Sequence, residues 1–150
     1  MPSRSCGEAV AGDEVAAVAL WKAAGLAGFG NDPVADFHLA LLGPSSAVLV
    51  AEDAGGTISG TVMVGHDGHR GWLYYVAVAP AARGQGVGRH LVAVAEQWLR
   101  ARGTPKVQLM VRPANAAVAG FYHRLGYAEA PRVVMAKRLD GSDAVENEPR

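Results

Sequence analysis

The stretch RGQGVG, Arg83 to Gly88, places three glycines at alternate positions directly ahead of a helical pattern. Glycine costs a helix about 1 kcal/mol relative to alanine, so three at one helix start need another reason. A helix N-terminus carries N–H groups without intrahelical partners and a partial positive charge. A glycine loop leading into it lets the backbone approach an anion closely, and phosphate is the anion such loops hold. Two familiar phosphate loops fail here: G-x-G-x-x-G, counted from Gly84 and Gly86, needs glycine where Arg89 stands, and the closing Gly-Lys-Ser/Thr of a P-loop meets Gly88-Arg89-His90. The pattern that fits is R/Q-x-x-G-x-G/A, through Arg83, Gly86 and Gly88, with Gln85 and Val87 between them. Arg89 opposes the dipole of its own helix, and an anionic ligand removes that conflict. A turn that merely needs glycine is the plain alternative.

A second stretch, NAAVAGFYHRLGY, carries Asn115, Tyr122, Arg124 and Gly126. Asn115 suits a helix N-cap, and Tyr122 beside Phe121 suits core packing, so each has a structural reading beside a chemical one. Side chains able to take a proton are Asp32, Asp36, Glu52, His66, Asp67 and His69. Surface or turn roles compete for all of them: Asp32 before Pro33 is a helix start, and Asp67-Gly68 is ordinary turn chemistry.

The elements that position these residues follow from periodicity. Asp13 or Gly12 can cap a helix through EVAAVALWKAAG, with Val15, Val18 and Trp21 at three-residue steps and Gly25 as its stop. A second helix runs from Asp32-Pro33 to Gly43-Pro44. AVLVAED and TISGTVMVGH read as a hairpin, and DGHRG turns the chain into WLYYVAVA. That strand is apolar on both faces, with Trp72, Tyr74, Val76 and Val78 on one and Leu73, Tyr75, Ala77 and Ala79 on the other, so it belongs in the middle of a sheet. A helix from the glycine loop to near Gly103 shows a stripe at Val87, Leu91, Val94 and Trp98. A strand over Lys106 to Val111, a helix from Asn115 to Gly126 and a last strand within YAEAPRVVMAKRL complete a mixed α/β domain with a parallel crossover.

Composition narrows the classes. The chain has 150 residues, half of them apolar, with 14 basic and 14 acidic side chains and no net charge. One domain with a full core fits that length, and a strongly basic nucleic-acid binder does not fit that charge. Cys6 is the only cysteine, which excludes an intramolecular disulfide and a cysteine zinc site; the five histidines lack metal-ligand spacing, so no metal is expected. No apolar run reaches the ~18 to 20 residues of a membrane span, and the first residues show no signal-peptide pattern, so a cytoplasmic protein without a membrane partner is expected. Residues 1–12 give no clear pattern, although SRSCGEAV can pair as an edge strand.

The loop and the later element together resemble the GNAT family of acetyl-CoA-dependent N-acetyltransferases. That family pairs R/Q-x-x-G-x-G/A with N-x-x-(V/A)-x-x-x-Y-x-x-x-G-(F/Y), matched here by Asn115, Val118, Tyr122, Gly126 and Tyr127. The resemblance covers about residues 15–139. It is closer to the bacterial YpeA-type acetyltransferases, through NDP at 31–33, GTVM at 60–63, DGHRG at 67–71, YY at 74–75 and HRLGY at 123–127. It implies the α/β, mixed-sheet GNAT-like fold: a central sheet splayed between strands at 72–79 and 106–112, helices on both faces, one domain over 1–139 and a flexible polar tail over 140–150.

The resemblance also implies chemistry. Acetyl-CoA is the co-substrate, and its acetyl group passes to a primary amine of a small molecule, peptide or protein by direct attack in a ternary complex. Pantetheine pairs with Val76, Ala77 and Val78. The pyrophosphate rests on the loop Arg83, Gly84, Gln85, Gly86, Val87, Gly88 and Arg89, and Arg89 or Arg124 meets a further phosphate. Asn115 contacts the cofactor, Tyr122 protonates the departing thiolate, and the N–H groups near Tyr75 and Val76 polarise the carbonyl. Asn31, Asp32, His69 and Tyr74 are expected at the acceptor. No carboxylate lies within WLYYVAVA or KVQLMV, where many relatives carry one, so a water relay competes with the bases named above. An acyl-CoA sensor without turnover is the alternative. An exposed final strand can pair with a second copy, giving a homodimer.

Overall fold

The computed structural model describes residues 5–28 and 30–142. They form two compact units, residues 5–28 with 32–109, and residues 30–31 with 110–142. The expectations for residues 1–4, for Phe29 and for the tail from 143 onward lie outside the described residues.

The first unit is a five-stranded sheet in the order β1 (Ser5–Glu8), β2 (Ser46–Glu52), β3 (Ile58–His66), β4 (Gly71–Val78) and β5 (Val107–Leu109). The first four pair antiparallel, and β5 joins β4 in parallel. Within SRSCGEAV, Ser5–Glu8 thus supply an edge strand. Helices α1 (Glu14–Ala23) and α2 (Pro33–Leu42) cover one face. Trp21, Phe37, Val18 and Ala40 pack there with Val48, Val50 and Ala77. Val15 is exposed; the buried face of α1 is Ala17, Val18, Leu20 and Trp21. Asp32 caps α2 by accepting from the Ala35 N–H at 3.1 Å, with Pro33 as the first helical residue.

Alternation sends Ala47, Leu49 and Ala51 to the opposite face, where Val64 and Val62 stand beside Ala47 and Leu49. Helix α3 (Val87–Ala101) covers that face. A Cβ on Gly60 would lie 2.7 Å from Leu91, and one on Gly71 2.6 Å from Leu99. The buried stripe of α3 is Val87, Leu91, Val92, Ala95 and Leu99. Val94 and Trp98, expected in that stripe, flank it half-buried.

β4 departs from the regular alternation expected for WLYYVAVA. Tyr74 pairs with Met63 but Ala77 pairs with Thr61, so Tyr75 and Val76 together oppose Val62. This bulge reverses the phase: Tyr75 and Ala77 pack on the α1–α2 side with Met63, the ladder partner of Tyr74. Val78, opposite Gly60, faces α3. Pairing with β5 ends at Leu73–Leu109, just before the bulge, so the expected strand over 106–112 is only three residues long.

In the second unit, α4 (Ala116–Arg124) ends at Gly126, whose φ of 94° allows the N–H of Tyr127 to reach the Tyr122 carbonyl at 3.0 Å. No strand forms over 127–138, against the expectation of a last strand. A strand needs a ladder partner, no described strand of the sheet forms a ladder with this stretch, and Pro131 removes one donor. Val133 and Met135 are 88 and 91 % exposed. Arg138 reaches the Asp140 carboxylate and the carbonyl of Gly30.

Candidate functional site

The chain leaves β4 through a single turn of 3-10 helix, Pro80–Ala82, and enters α3 through the glycine loop. Gly84 has φ 75° and Gly86 has φ 79° with ψ 14°, a left-handed conformation that costs other residues about 1–2 kcal/mol. Gly86 is the N-cap of α3. Gly88 lies within the first helical turn, so its value is the absent side chain rather than its φ. His90 donates its N–H to the Gly86 carbonyl at 3.0 Å, while Val87, Gly88 and Arg89 carry the leading N–H groups of the helix. Arg83 and Arg89 are exposed on either side. The Gln85 amide donates to the Ala81 carbonyl at 3.2 Å and braces the loop. Positive dipole, unpaired donors and two guanidinium groups together suit a polyanion.

Beside this loop, β4 presents Tyr74 to Val78 without a strand paired on its β5 side among the described residues. The bulge makes this edge irregular. Tyr75 is the one non-glycine residue with positive φ among those described, at 51°. Three contacts surround it. Its ring stacks on Trp21 with centroids 3.9 Å apart and planes 13° from parallel. Its hydroxyl donates to Asp36 at 2.7 Å. Its carbonyl accepts from the Thr61 hydroxyl at 2.9 Å, and that hydroxyl accepts in turn from the Trp21 indole at 2.8 Å. Burial, and then the Asp36 carboxylate, push the Tyr75 phenol well above its ordinary range. Thr61 is fully buried, with both its hydroxyl interactions satisfied inside the protein. The sequence offers no sign of Thr61, because a threonine in a strand is ordinary, or of Trp21 as anything but core.

Asn115 precedes α4, but its side chain makes no capping hydrogen bond; only its carbonyl serves the helix, accepting from Val118 and Ala119. Tyr122 is 8 % exposed and meets Phe121 and Tyr127 edge-on, with centroids 5.0 and 5.7 Å away. Burial pushes its phenol up to about 12. Arg124 is exposed on the last turn.

The residues expected at the acceptor fall in different places. Asp32 caps α2, one turn before Asp36, and Asn31 precedes it half-buried. Tyr74 is half-exposed and stacks on Trp72, with burial raising its phenol pKa. His69 lies in the β3–β4 turn, at the end of β4 away from the glycine loop. Asp67 braces that turn, accepting from the N–H groups of His69 and Arg70 at 2.8 and 2.7 Å, which hold its carboxyl below the ordinary carboxylate range. His66 ends β3 beside Trp98, and Glu52 ends β2. Of the six proton acceptors considered, Asp36 alone reaches the bulge.

Comparison with known proteins bears on the family and the fold. The model of the "Acetyltransferase (GNAT) family" matches residues 10–127. An acetyltransferase of Pectobacterium atrosepticum is 42 % identical over 127 residues, covering 85 % of this chain and 89 % of the relative. An acetyltransferase of Yersinia pseudotuberculosis is 43 % identical over 122 residues, covering 81 and 86 %. Among solved structures, the chain is similar to AAC(6')-Iy in complex with a bisubstrate analogue, CoA-S-monomethyl-acetylneamine, with TM-score 0.77, 19 % identity and coverage of 91 and 98 %. It is also similar to an aminoglycoside acetyltransferase from an uncultured soil metagenomic sample, in complex with sisomicin, with TM-score 0.75, 17 % identity and coverage of 91 and 96 %. At these identities the structures establish the fold.

Proposed function

We propose that this chain, which belongs to the acetyltransferase (GNAT) family, moves the acetyl group of acetyl-CoA to a primary amine by direct attack in a ternary complex. The observation that carries the reading is the succession within one unit of a β4 edge without a paired strand among the described residues, two left-handed glycines and the leading N–H groups of α3. An open strand edge suits the amides of pantetheine, and the helix start suits a pyrophosphate.

In this reading Val76, Ala77 and Val78 pair with pantetheine. Arg83 and the loop from Gly84 to Arg89 take the pyrophosphate, and Asn115 and Arg124 contribute further cofactor contacts. The amine nitrogen attacks the thioester carbon while N–H groups at Tyr75 and Val76 polarise the carbonyl oxygen. The C–S bond breaks, the thiolate takes its proton from the Tyr122 hydroxyl, and the proton lost by the new amide nitrogen passes through water to restore the phenol. A phenol at about 12 gives a proton to a thiolate near 8.5 at a cost of about 5 kcal/mol. Transfer concerted with C–S cleavage lowers that cost.

The acceptor sets the need for a base. A lysine amine is roughly 0.1 % neutral at pH 7.5, whereas an α-amine is about one third neutral. Small polar amines are the leading acceptor class, because two proteins of similar fold are complexed with aminoglycoside-type ligands. A CoA-binding sensor without turnover is the rival; a tyrosine at position 122 and the intact glycine loop favour the enzyme, and a turnover assay separates the two. Calorimetric titration with acetyl-CoA, with NADH and ATP as controls, tests the reading. Micromolar binding of acetyl-CoA alone is expected; no binding, or preference for a control, overturns it.

A further inference from the structure

The Tyr75 bulge is costly and must be held. A tyrosine at φ 51° is disfavoured, and regular pleating would return every later side chain of β4 to the opposite face. Three elements oppose that relaxation. Trp21 of α1 clamps the ring, Thr61 of β3 holds the carbonyl, and Asp36 of α2 holds the hydroxyl. The Trp21 indole, through Thr61, ties the first two restraints together. The third is independent of them, since it comes from α2 and its acceptor is a carboxyl oxygen of Asp36. Asp36 also lies in the first turn of α2, where the helix dipole favours its charge.

We propose that Asp36 is a positioning residue for acyl transfer: through the Tyr75 hydroxyl it fixes the bulge, and so aims the main-chain N–H groups that polarise the thioester carbonyl. This rests on the acetyl-CoA reading above. It differs from the reading of Asp36 as a general base. A base must gain a proton during turnover, whereas a positioning acceptor needs only an oxygen facing Tyr75. Asparagine keeps that oxygen and cannot act as the base.

Isotope-edited infrared spectroscopy of acetyl-CoA labelled with 13C at the thioester carbonyl tests this without knowledge of the acceptor. The bound carbonyl stretch of the wild type is expected below that of free acetyl-CoA. Asp36→Ala and Tyr75→Phe, the second of which keeps the ring on Trp21, are expected to lose at least half of that displacement, with acetyl-CoA Kd changed less than about threefold. The double variant is expected to be no worse than either single one, because both break one bond. Asp36→Asn is expected to retain most of the displacement. The proposal is overturned if the single variants keep the full displacement, if their losses add in the double variant, or if Asp36→Asn fails as completely as Asp36→Ala. A wild type that does not bind acetyl-CoA overturns the functional reading, and this inference falls with it.

Discussion

On the proposed mechanism, Tyr122 serves as both core and chemistry. Its ring is wedged against Phe121 and Tyr127, which gives it a packing role that phenylalanine would fill. Its hydroxyl is the group proposed to give the proton, and burial pushes its pKa up to about 12. A proton donor must hold its proton until the leaving group appears, and a raised pKa guarantees that at the cost of acid strength. Tyr122→Phe is therefore expected to lower kcat by about 100-fold or more, with acetyl-CoA Kd within twofold of wild type and an unchanged unfolding midpoint. Steady-state kinetics beside calorimetry check this. A parallel loss of affinity or stability would assign Tyr122 to packing alone. Asn115 presents the converse case, since the helix it precedes uses its carbonyl and leaves its amide uncommitted to capping.

At the scale of elements, the position of α3 against the sheet decides where its N-terminus points, and two glycines govern that approach. A Cβ at Gly60 would meet Leu91 at 2.7 Å, Val87 at 2.8 Å and the Ala77 carbonyl at 3.0 Å. Side-chain tips can yield, but the carbonyl belongs to the strand beside the bulge, and Val87 is the first residue of α3. Gly60→Ala is thus expected to cost about 1–3 kcal/mol in urea unfolding and to weaken acetyl-CoA binding several-fold. In Gly71→Ala the three nearest atoms to the new Cβ all belong to the Leu99 side chain, at the other end of the helix. It is expected to cost stability while leaving affinity intact, and equal affinity losses in both variants would refute this account of α3. The same distinction between local and distant causes explains what could be read in advance. Asp32-Pro33, the turns around Gly56 and Gly68, and the glycine loop are legible because each residue type answers a local need. The bulge is not legible, because Leu-Tyr-Tyr-Val reads the same pleated or bulged. Trp21, Asp36 and Thr61, which hold it, are distant in sequence. The shortened β5 and the absence of a strand over 127–138 among the described residues are hidden for the same reason, since a strand ends where its ladder partner does.

The charge inventory of the whole chain governs its response to alkali. Acidic and basic residues balance at 14 each, and only Lys22, Lys106 and Lys137 among the basic ones are lysines. Arginine keeps its proton to pH 12 and beyond, so raising the pH from 8 to 11 discharges few cations and creates little self-repulsion. Buried acids then dominate. Unfolded tyrosine ionises near pH 10, whereas burial raises Tyr122 to about 12 and raises Tyr75 as well. The unfolded chain loses these protons first. Their contribution is therefore fully present below pH 10 and is lost as pH rises through the folded values. The sign is opposite to that of a salt-bridged carboxylate. For Tyr122 the two-unit displacement corresponds to about 3 kcal/mol once the loss is complete. Cys6, raised by burial, acts in the same direction from a lower starting point. Urea midpoints at pH 8, 10 and 11 are expected to fall steeply above pH 10 for the wild type and less steeply for Tyr122→Phe. Parallel slopes would mean that the Tyr122 phenol ionises as readily in the folded chain as in the unfolded one. The proton required for thiolate release would then be less secure than its burial implies.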